Sequence, residues 1–441
     1  MKNTIYLLLM AFLFVTANGC QKEYFNPSSA SEDEIVKDVD GLIALCNGLQ
    51  YRWSVGRQSP AYTVPVADAL STRGLKVLNA GNQDEDFLAT GGNSVVSSNA
   101  IITNIWTQCQ LTKSAADLIL RNVGNLGSAG DKAGVTAYAA IFRALSLGTM
   151  AQFFEKTTIA SAENAPFVDR MEALREAIAS LEAGKTAYSG VSAADLSNFN
   201  GKIIAGIDVL NTINALLARY KLMMGDNAGA FTAAGLVDLS KKSEFKFDDL
   251  TRNPIFDVAF NNVNVVQPSD ASLGIAAAVA PSITDGRILF YLKSTTPSGT
   301  GVYSGKGFWT ANNSPVPLYL PGEMMLIKAE AKARQDMIPD AITELNAVLT
   351  KTTDVYGIGA AQAAYAGPVT KDDVLLEVYK NRRVELYMSG MTLEDCRRFN
   401  RPAPDVTGGT LNNAAERSRI WYPYPNAERD NNPNTPPNPS I

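Results

Sequence analysis

A dense group of charged residues sits near the C-terminal end of the chain: Arg382, Arg383, Glu385, Glu394, Asp395, Arg397 and Arg398. Carboxylates this close together can work as a general acid and base. Arg, however, stays protonated and holds neighbouring carboxylates ionised, which suits charge pairing better than proton transfer. The favoured reading is an ion-pair network, wholly or partly buried, that ties the last long helix to the tail. No catalytic residue is assigned. The chain contains no histidine. That removes Ser-His-Asp and Cys-His systems and every histidine-bearing metal site. Asp84, Glu85 and Asp86 offer oxygens of the kind calcium takes, but the stretch lacks the glycine and closing glutamate of an EF-hand loop. A solvated acidic run is the favoured reading, and no metal or cofactor is assigned. Asp372 and Asp373 precede an apolar run and fit a helix N-terminus.

Binding chemistry has better candidates. Sugar rings lay their C–H faces on aromatic planes, and their hydroxyls need fixed polar partners. Tyr303, Phe308 and Trp309 stand in a glycine-rich stretch beside Asn312 and Asn313, with no evident core to fill. Asp68, Arg73 and Gln83, in a long irregular connection over 58–94, can supply hydrogen bonds. The competing reading is that the three aromatics pin an irregular cap to the helices. Trp53 and Trp106 fall on helical apolar stripes and belong to the core.

These residues need a scaffold, and its period is helical. GEMMLIKAEAKARQDMIPDAITELNAVL, from Gly322, predicts an alanine-rich helix, a break at Gln335–Pro339 and a second helix. In NALLARYKLMMGDNAGAF, the separation from Ala218 to Ala230 equals that from Ala329 to Ala341. Matching small positions suggest tetratricopeptide-like repeats, against the alternative of two unrelated hairpins in an all-helical core. Further helices are predicted over 34–57, 95–123, 133–155, 170–187, 201–224 and 371–400. Residues 133–155, apolar or small nearly all round, should be central. From 240 to 317 the composition turns to Asn, Pro, Ser, Thr and Gly, an irregular insertion with short strands. The end of the chain favours extended conformation, with Ile420, Trp421, Tyr422 and Tyr424 apolar enough to dock.

The 441 residues are 46% hydrophobic, ample for a large core. Lys and Arg number 39 against 44 Asp and Glu, an acidic balance that argues against nucleic acid. Lys2 and the apolar run from Ile5 to Val15 predict a signal peptide over 1–19. Ala17, Asn18 and Gly19 then lead into Cys20, so acylation of Cys20 and a polar tether over 20–33 are expected. Cys46, Cys109 and Cys396 fall in apolar or helical contexts and are expected to be buried thiols.

In order along the chain, the leader with Cys20, AYAAIFRALSLGTMAQFFEK, ALLARYKLMMGD, EMMLIKAEAKARQ, NRRVELYMSGMTLEDCRRFN and YPYPNAERDNNPN resemble the SusD/RagB-type nutrient-binding outer-membrane lipoproteins. Arg382, Arg383, Glu385, Leu386, Asp395, Arg397 and Arg398 match the family helix. Asn381, Ser389 and Cys396 depart from it, as does the final Ser440–Ile441. The resemblance implies a mainly α fold, a SusD-like α-α superhelix of tetratricopeptide-like hairpins under a loop-rich cap with short strands. It divides the chain into an N-terminal helical part (34–239), the cap (240–317) and C-terminal hairpins with an extended tail (318–441). It also implies ligand sites in the first long connection and the cap. Finally, it implies a lipid-anchored protein at the cell surface that captures a glycan or peptide and passes it to a SusC-type TonB-dependent transporter, without enzyme activity. A non-catalytic envelope scaffold that binds only protein, and a carboxylate-based glycoside hydrolase, are the alternatives.

Overall fold

Small residues decide how the central helices meet. The computed structural model describes residues 32–261, 265–294, 303–401, 406–407, 410–411 and 416–440. The expected leader and Cys20 lie outside them. After one turn, α1 (Glu32–Ile35), come α2 (Val39–Ser54), α3 (Pro60–Ser71), α4 (Gln83–Thr90), α5 (Ala100–Asn122) and α6 (Ala129–Phe153). Almost every residue of α6 from Ala133 onward is buried, as its composition requires. It pairs with α7 (Arg170–Ser189) across the short antiparallel strands β2 (Lys156–Thr158) and β3 (Phe167–Asp169). Gly184 of α7 faces Ala137 and Ala140 of α6, which lets the two backbones approach.

A short helix, α8 (Ser197–Lys202), leads to the hairpin of α9 (Val209–Met223) and α10 (Asn227–Gly235). The hairpin of α12 (Pro321–Arg334) and α13 (Ile338–Leu349) follows later, then the pair α14 (Lys371–Glu385) and α15 (Thr392–Arg398). Each stacks on its predecessor, with α9 on α7, α10 on α12 and α12 on α14, giving the expected superhelix. Ala218, Ala230, Ala329 and Ala341 are fully buried. Side chains cap these helices: Asp208 accepts from the Asn211 amide, Asp226 from Gly229 and Thr370 from Asp373. Asp372 and Asp373 lie in the first turn of α14, as expected. Among the described residues no helix is long and apolar enough to cross a membrane.

At Gly148 of α6, an added Cβ would lie 2.2 Å from the Tyr220 ring of α9. Gly148→Ala is therefore expected to lower stability by about 1–3 kcal/mol through overpacking. Denaturant unfolding checks this, and an unchanged midpoint would refute it.

The 58–94 connection differs from expectation. Two prolines and a polar run read as loop, yet they form α3 and α4. In α3, Tyr62, Val66, Ala69 and Leu70 are buried at helical spacing, and this burial outweighs the hydrogen bond that Pro65 cannot make. In α4 the acidic run is not wholly solvated: Glu85 is buried and pairs with Arg57 at 2.7 Å, and Asp84 accepts the Ala100 amide.

Among the described residues the cap is irregular with short strands, β4 (Glu244–Phe245), β5 (Val266–Pro268), β6 (Leu292–Ser294), β7 (Tyr303–Gly305) and β8 (Val316–Pro317), the short helix α11 (Gly286–Tyr291), a π-helical turn at Phe256–Phe260 and a 3-10 turn at Ala277–Val279. Strand β5 pairs with β1 (Leu75–Val77), Leu75 opposite Pro268, and staples the cap to the chain after α3. The tail docks. Tyr422 stacks on Phe153, Tyr424 packs on Phe154, and Trp106 donates its indole N–H to Glu428 just before the last described turns. Strands β9 (Val406–Thr407) and β10 (Thr410–Leu411) precede this segment, and α16 (Asn426–Asn431) lies within it.

Candidate functional site

One pocket gathers residues from the helices and the cap together. Its walls come from Trp53 of α2, Val64 and Pro65 of α3, Thr149 and Gln152 of α6, Arg219 and Tyr220 of α9, the cap's Phe308 and Trp309, and Tyr387 to Met391 after α14. It holds a space of about 120 Å³ and opens partly to solvent.

The local chemistry explains the walls. Arg219 lies near the C-terminal end of α9 and is held there by an acidic partner from α12. Its Nε and Nη2 bond both carboxylate oxygens of Glu323, at 2.7 and 2.8 Å, and Nη2 also donates to the Leu318 carbonyl. Burial alone would lower the Arg219 guanidinium, but the Glu323 charge raises it above its usual value. Gln152 donates to the Gly390 carbonyl, fixing the turn that carries Met388 and Ser389.

Asn253 holds the cap side. It is fully buried, its amide donates to the carbonyls of Phe308 and Ser314 at 2.8 Å, and its oxygen accepts from Ile255 and Phe256. Nothing in its local sequence marked it. Asn253→Ala is expected to cost at least about 2 kcal/mol, with several buried backbone groups left unpaired. Hydrogen exchange should then quicken across 308–314, and unaltered protection there would contradict this role.

The three expected aromatics end up in different settings. Trp309 is only 2% exposed. Its ring stacks on Tyr291 at 5.8 Å, and Phe260, Tyr387 and Phe308 surround the rest. No ring face is left for a sugar, so the reading of Trp309 as a stacking platform is corrected: the ring pins the cap. Its Nε1 is buried with no hydrogen-bond partner among the described residues, and so is the hydroxyl of Tyr319. Phe308 is half-buried against Phe290 and Tyr356 and lines the pocket. Tyr303 is half-buried on β7, opposite Ser294, outside the lining.

Asp68, Arg73 and Gln83 do not join them. Asp68 is buried in α3, and its two oxygens accept the amides of Thr392 and Leu393, at 3.0 and 2.7 Å, at the start of α15. Burial pushes its carboxyl up to about 6, against the pull of those amides. Both oxygens are spent on the helix, which corrects the ligand-binding expectation. Arg73 ends α3 with φ +74° and turns its guanidinium to the Ala89 carbonyl. Gln83 is exposed on the first turn of α4.

The Arg–Glu group forms a buried lattice. Arg398 grips Glu330 with two bonds of 2.7 and 2.9 Å, Arg334 adds a third at 2.8 Å, and Arg382 pairs with Asp395 at 2.8 Å. Arg397 donates to the Ile420 carbonyl of the tail and sits 3.8 Å over the Trp421 ring, while Arg170 reaches Glu394 at 2.7 Å. Burial would raise the Glu330 carboxyl, but Arg398, Arg334 and Arg382 hold it down to about 2. Cys46, Cys109 and Cys396 are buried free thiols.

No protein-family model matches the chain, and neither does any curated protein. Solved structures do. A SusD superfamily protein from Bacteroides vulgatus aligns over 92% of this chain and 100% of its own, with TM-score 0.68 and 12% identity. A SusD-like carbohydrate binding protein from the same organism aligns over 90% and 97%, with TM-score 0.70 and 16% identity. Surface glycan-binding protein A from Bacteroides uniformis aligns over 91% and 98%, with TM-score 0.66 and 14% identity. The chain therefore has the SusD-like fold.

Proposed function

We propose, taking the SusD-like fold as the premise, that this protein captures a glycan at the cell surface and hands it to a SusC-type TonB-dependent transporter, anchored in the outer membrane through acylated Cys20. The observation that carries the reading is the match of nine-tenths of the chain to solved proteins, among them a SusD-like carbohydrate binding protein and a surface glycan-binding protein. The pocket at the cap–helix junction supports it, since it joins apolar walls to a few fixed polar groups. On this reading the protein makes and breaks no bonds. Glu330 and Glu394 are clamped by guanidinium groups, which favour the ionised carboxylate and oppose proton transfer.

The test is a glycan-array screen of the mature protein, followed by calorimetry on the hits and affinity purification from membranes. Binding of an unmodified oligosaccharide, together with recovery of a TonB-dependent barrel, is the expected result. Recovery of a barrel with no soluble ligand would favour the envelope scaffold. Steady release of shortened products from a bound oligosaccharide would favour the hydrolase.

A further inference from the structure

The cap meets the helices at a second place. A trough of about 400 Å³, partly open to solvent, is lined by Pro281 of the cap, by Gln362 and Tyr365 of the connection from α13 to α14, and by Glu377, Lys380 and Val384 of α14. It shares no lining residue with the pocket described above. Its walls are fixed. The Gly286 amide donates to the Ala360 carbonyl at 3.0 Å, and the Gln362 side-chain amide donates to the Thr284 carbonyl at 3.0 Å, so the cap edge is tied to the connection.

Tyr365 is the aromatic of this lining. Its backbone amide donates to Asn346 Oδ1 at 2.7 Å and its hydroxyl donates to the Pro368 carbonyl at 2.8 Å, which holds the residue at both ends. It packs against the aliphatic clusters around Leu345 and Ala341 and stays half-exposed, because its neighbours Ala363, Ala364, Ala366 and Gly367 are too small to cover it. Phe308 and Trp309 lie against other rings, whereas no ring or cation lies on Tyr365 among the described residues. Polar capacity is at hand. Lys380 has three donors and meets one acceptor among the described residues, Glu377 at 3.4 Å, and both side chains are half-buried. Charge is balanced, because Asp285 pairs with Arg287 at 2.7 Å and Glu377 with Lys380. A cavity of about 150 Å³ holds one benzene ring, and the trough has more than twice that space. An open aromatic and a few placed polar groups in a space of this size make a small-molecule site.

We infer that this trough is a second contact site for a glycan. It takes two adjacent uncharged sugar residues, one ring laid on Tyr365 and hydroxyls bonded to Lys380 and Glu377. That the ligand is a sugar rests on the glycan reading above. The room for a second ring, the neutrality and the aromatic platform rest on the trough.

The mature full-length protein is titrated with cellotriose, maltotriose, xylotriose, mannotriose and trigalacturonate, and with the neutral oligosaccharides that a glycan array returns. Calorimetry and saturation-transfer NMR are the readouts. Tyr365→Ala removes the platform. Lys380→Met removes the donors and keeps the stem, so one variant still reports if the other misfolds; thermal melting checks both. At least one neutral oligosaccharide is expected to bind, about tenfold more weakly to each folded variant. Trigalacturonate is expected to bind no better than the neutral probes, and tighter binding than all of them would overturn the uncharged site. Neutral binding that neither variant weakens would overturn the trough but leave the glycan reading standing. Variants that hold the glycan as wild type does, yet no longer recover a transporter from membranes, would give the trough to the partner and overturn the sugar site. If no glycan of any length binds, both readings fall.

Discussion

Glu330→Gln is expected to destabilise the protein by about 3–5 kcal/mol, because it removes the buried carboxylate on which Arg398, Arg334 and Arg382 converge and leaves Asp395, already paired with Arg382 and Arg398, as the carboxylate that still faces them. Glu330 is fully buried on α12, and the three guanidinium groups come from α12, α14 and α15, so one carboxylate joins three helices of the superhelix. Its pKa also sets a pH signature. An unfolded glutamate titrates near 4.5, and the folded one is held down to about 2. The stabilisation is complete above pH 4.5 and fades as the pH falls toward 2, a loss of roughly 3 kcal/mol from this one group. Equilibrium unfolding at pH 7 and at pH 3 measures both effects. The wild type should lose stability between the two pH values, and the variant should start lower and lose less. A variant within about 1 kcal/mol of the wild type at pH 7 would show that the charges are solvated or re-paired.

Cys20→Ala is expected to move the protein from the membrane fraction to the soluble fraction almost completely. Two or more acyl chains give stable anchoring where one gives only marginal binding, and no other described segment is long and apolar enough to replace them. Wild-type protein should resist high-salt washing and come off with detergent. The soluble variant should keep its glycan affinity, because the pocket lies within the helical body and the cap. Retention of Cys20→Ala in the membrane pellet would place the attachment elsewhere, on a partner or on another part of the chain.

The scaffold was legible because it is written locally. Helical spacing of apolar residues, Gly–Asp and Gln335–Pro339 breaks, and alanines a fixed distance apart produced the hairpins that the structure contains. The irregular stretch from about 240, with its short strands, followed from lost periodicity. The tail aromatics announced their docking by being apolar in a proline-rich run. Where local signals conflicted, the reading failed. Pro60 and Pro65 pointed to a loop over 58–94, but the buried face of Tyr62, Val66 and Leu70 made a helix, since burial against α5 is worth more than the hydrogen bond Pro65 lacks.

The site was not legible. Trp309 became a pin because Tyr291 and Tyr387, distant in sequence, close over its ring. Asp68 became a cap because the start of α15, more than three hundred residues away, arrives beside it. Arg219 and Glu323, Asn253 and Tyr319 acquired their places the same way. Sequence alone determined most of the segments that coil and where the hairpins break, because those depend on neighbours within a turn or two. Tertiary structure alone decided which aromatic face stays open, which carboxylate is spent and which indole N–H is left wanting a partner, because each is settled by atoms that meet only after the hairpins stack and the cap folds across them.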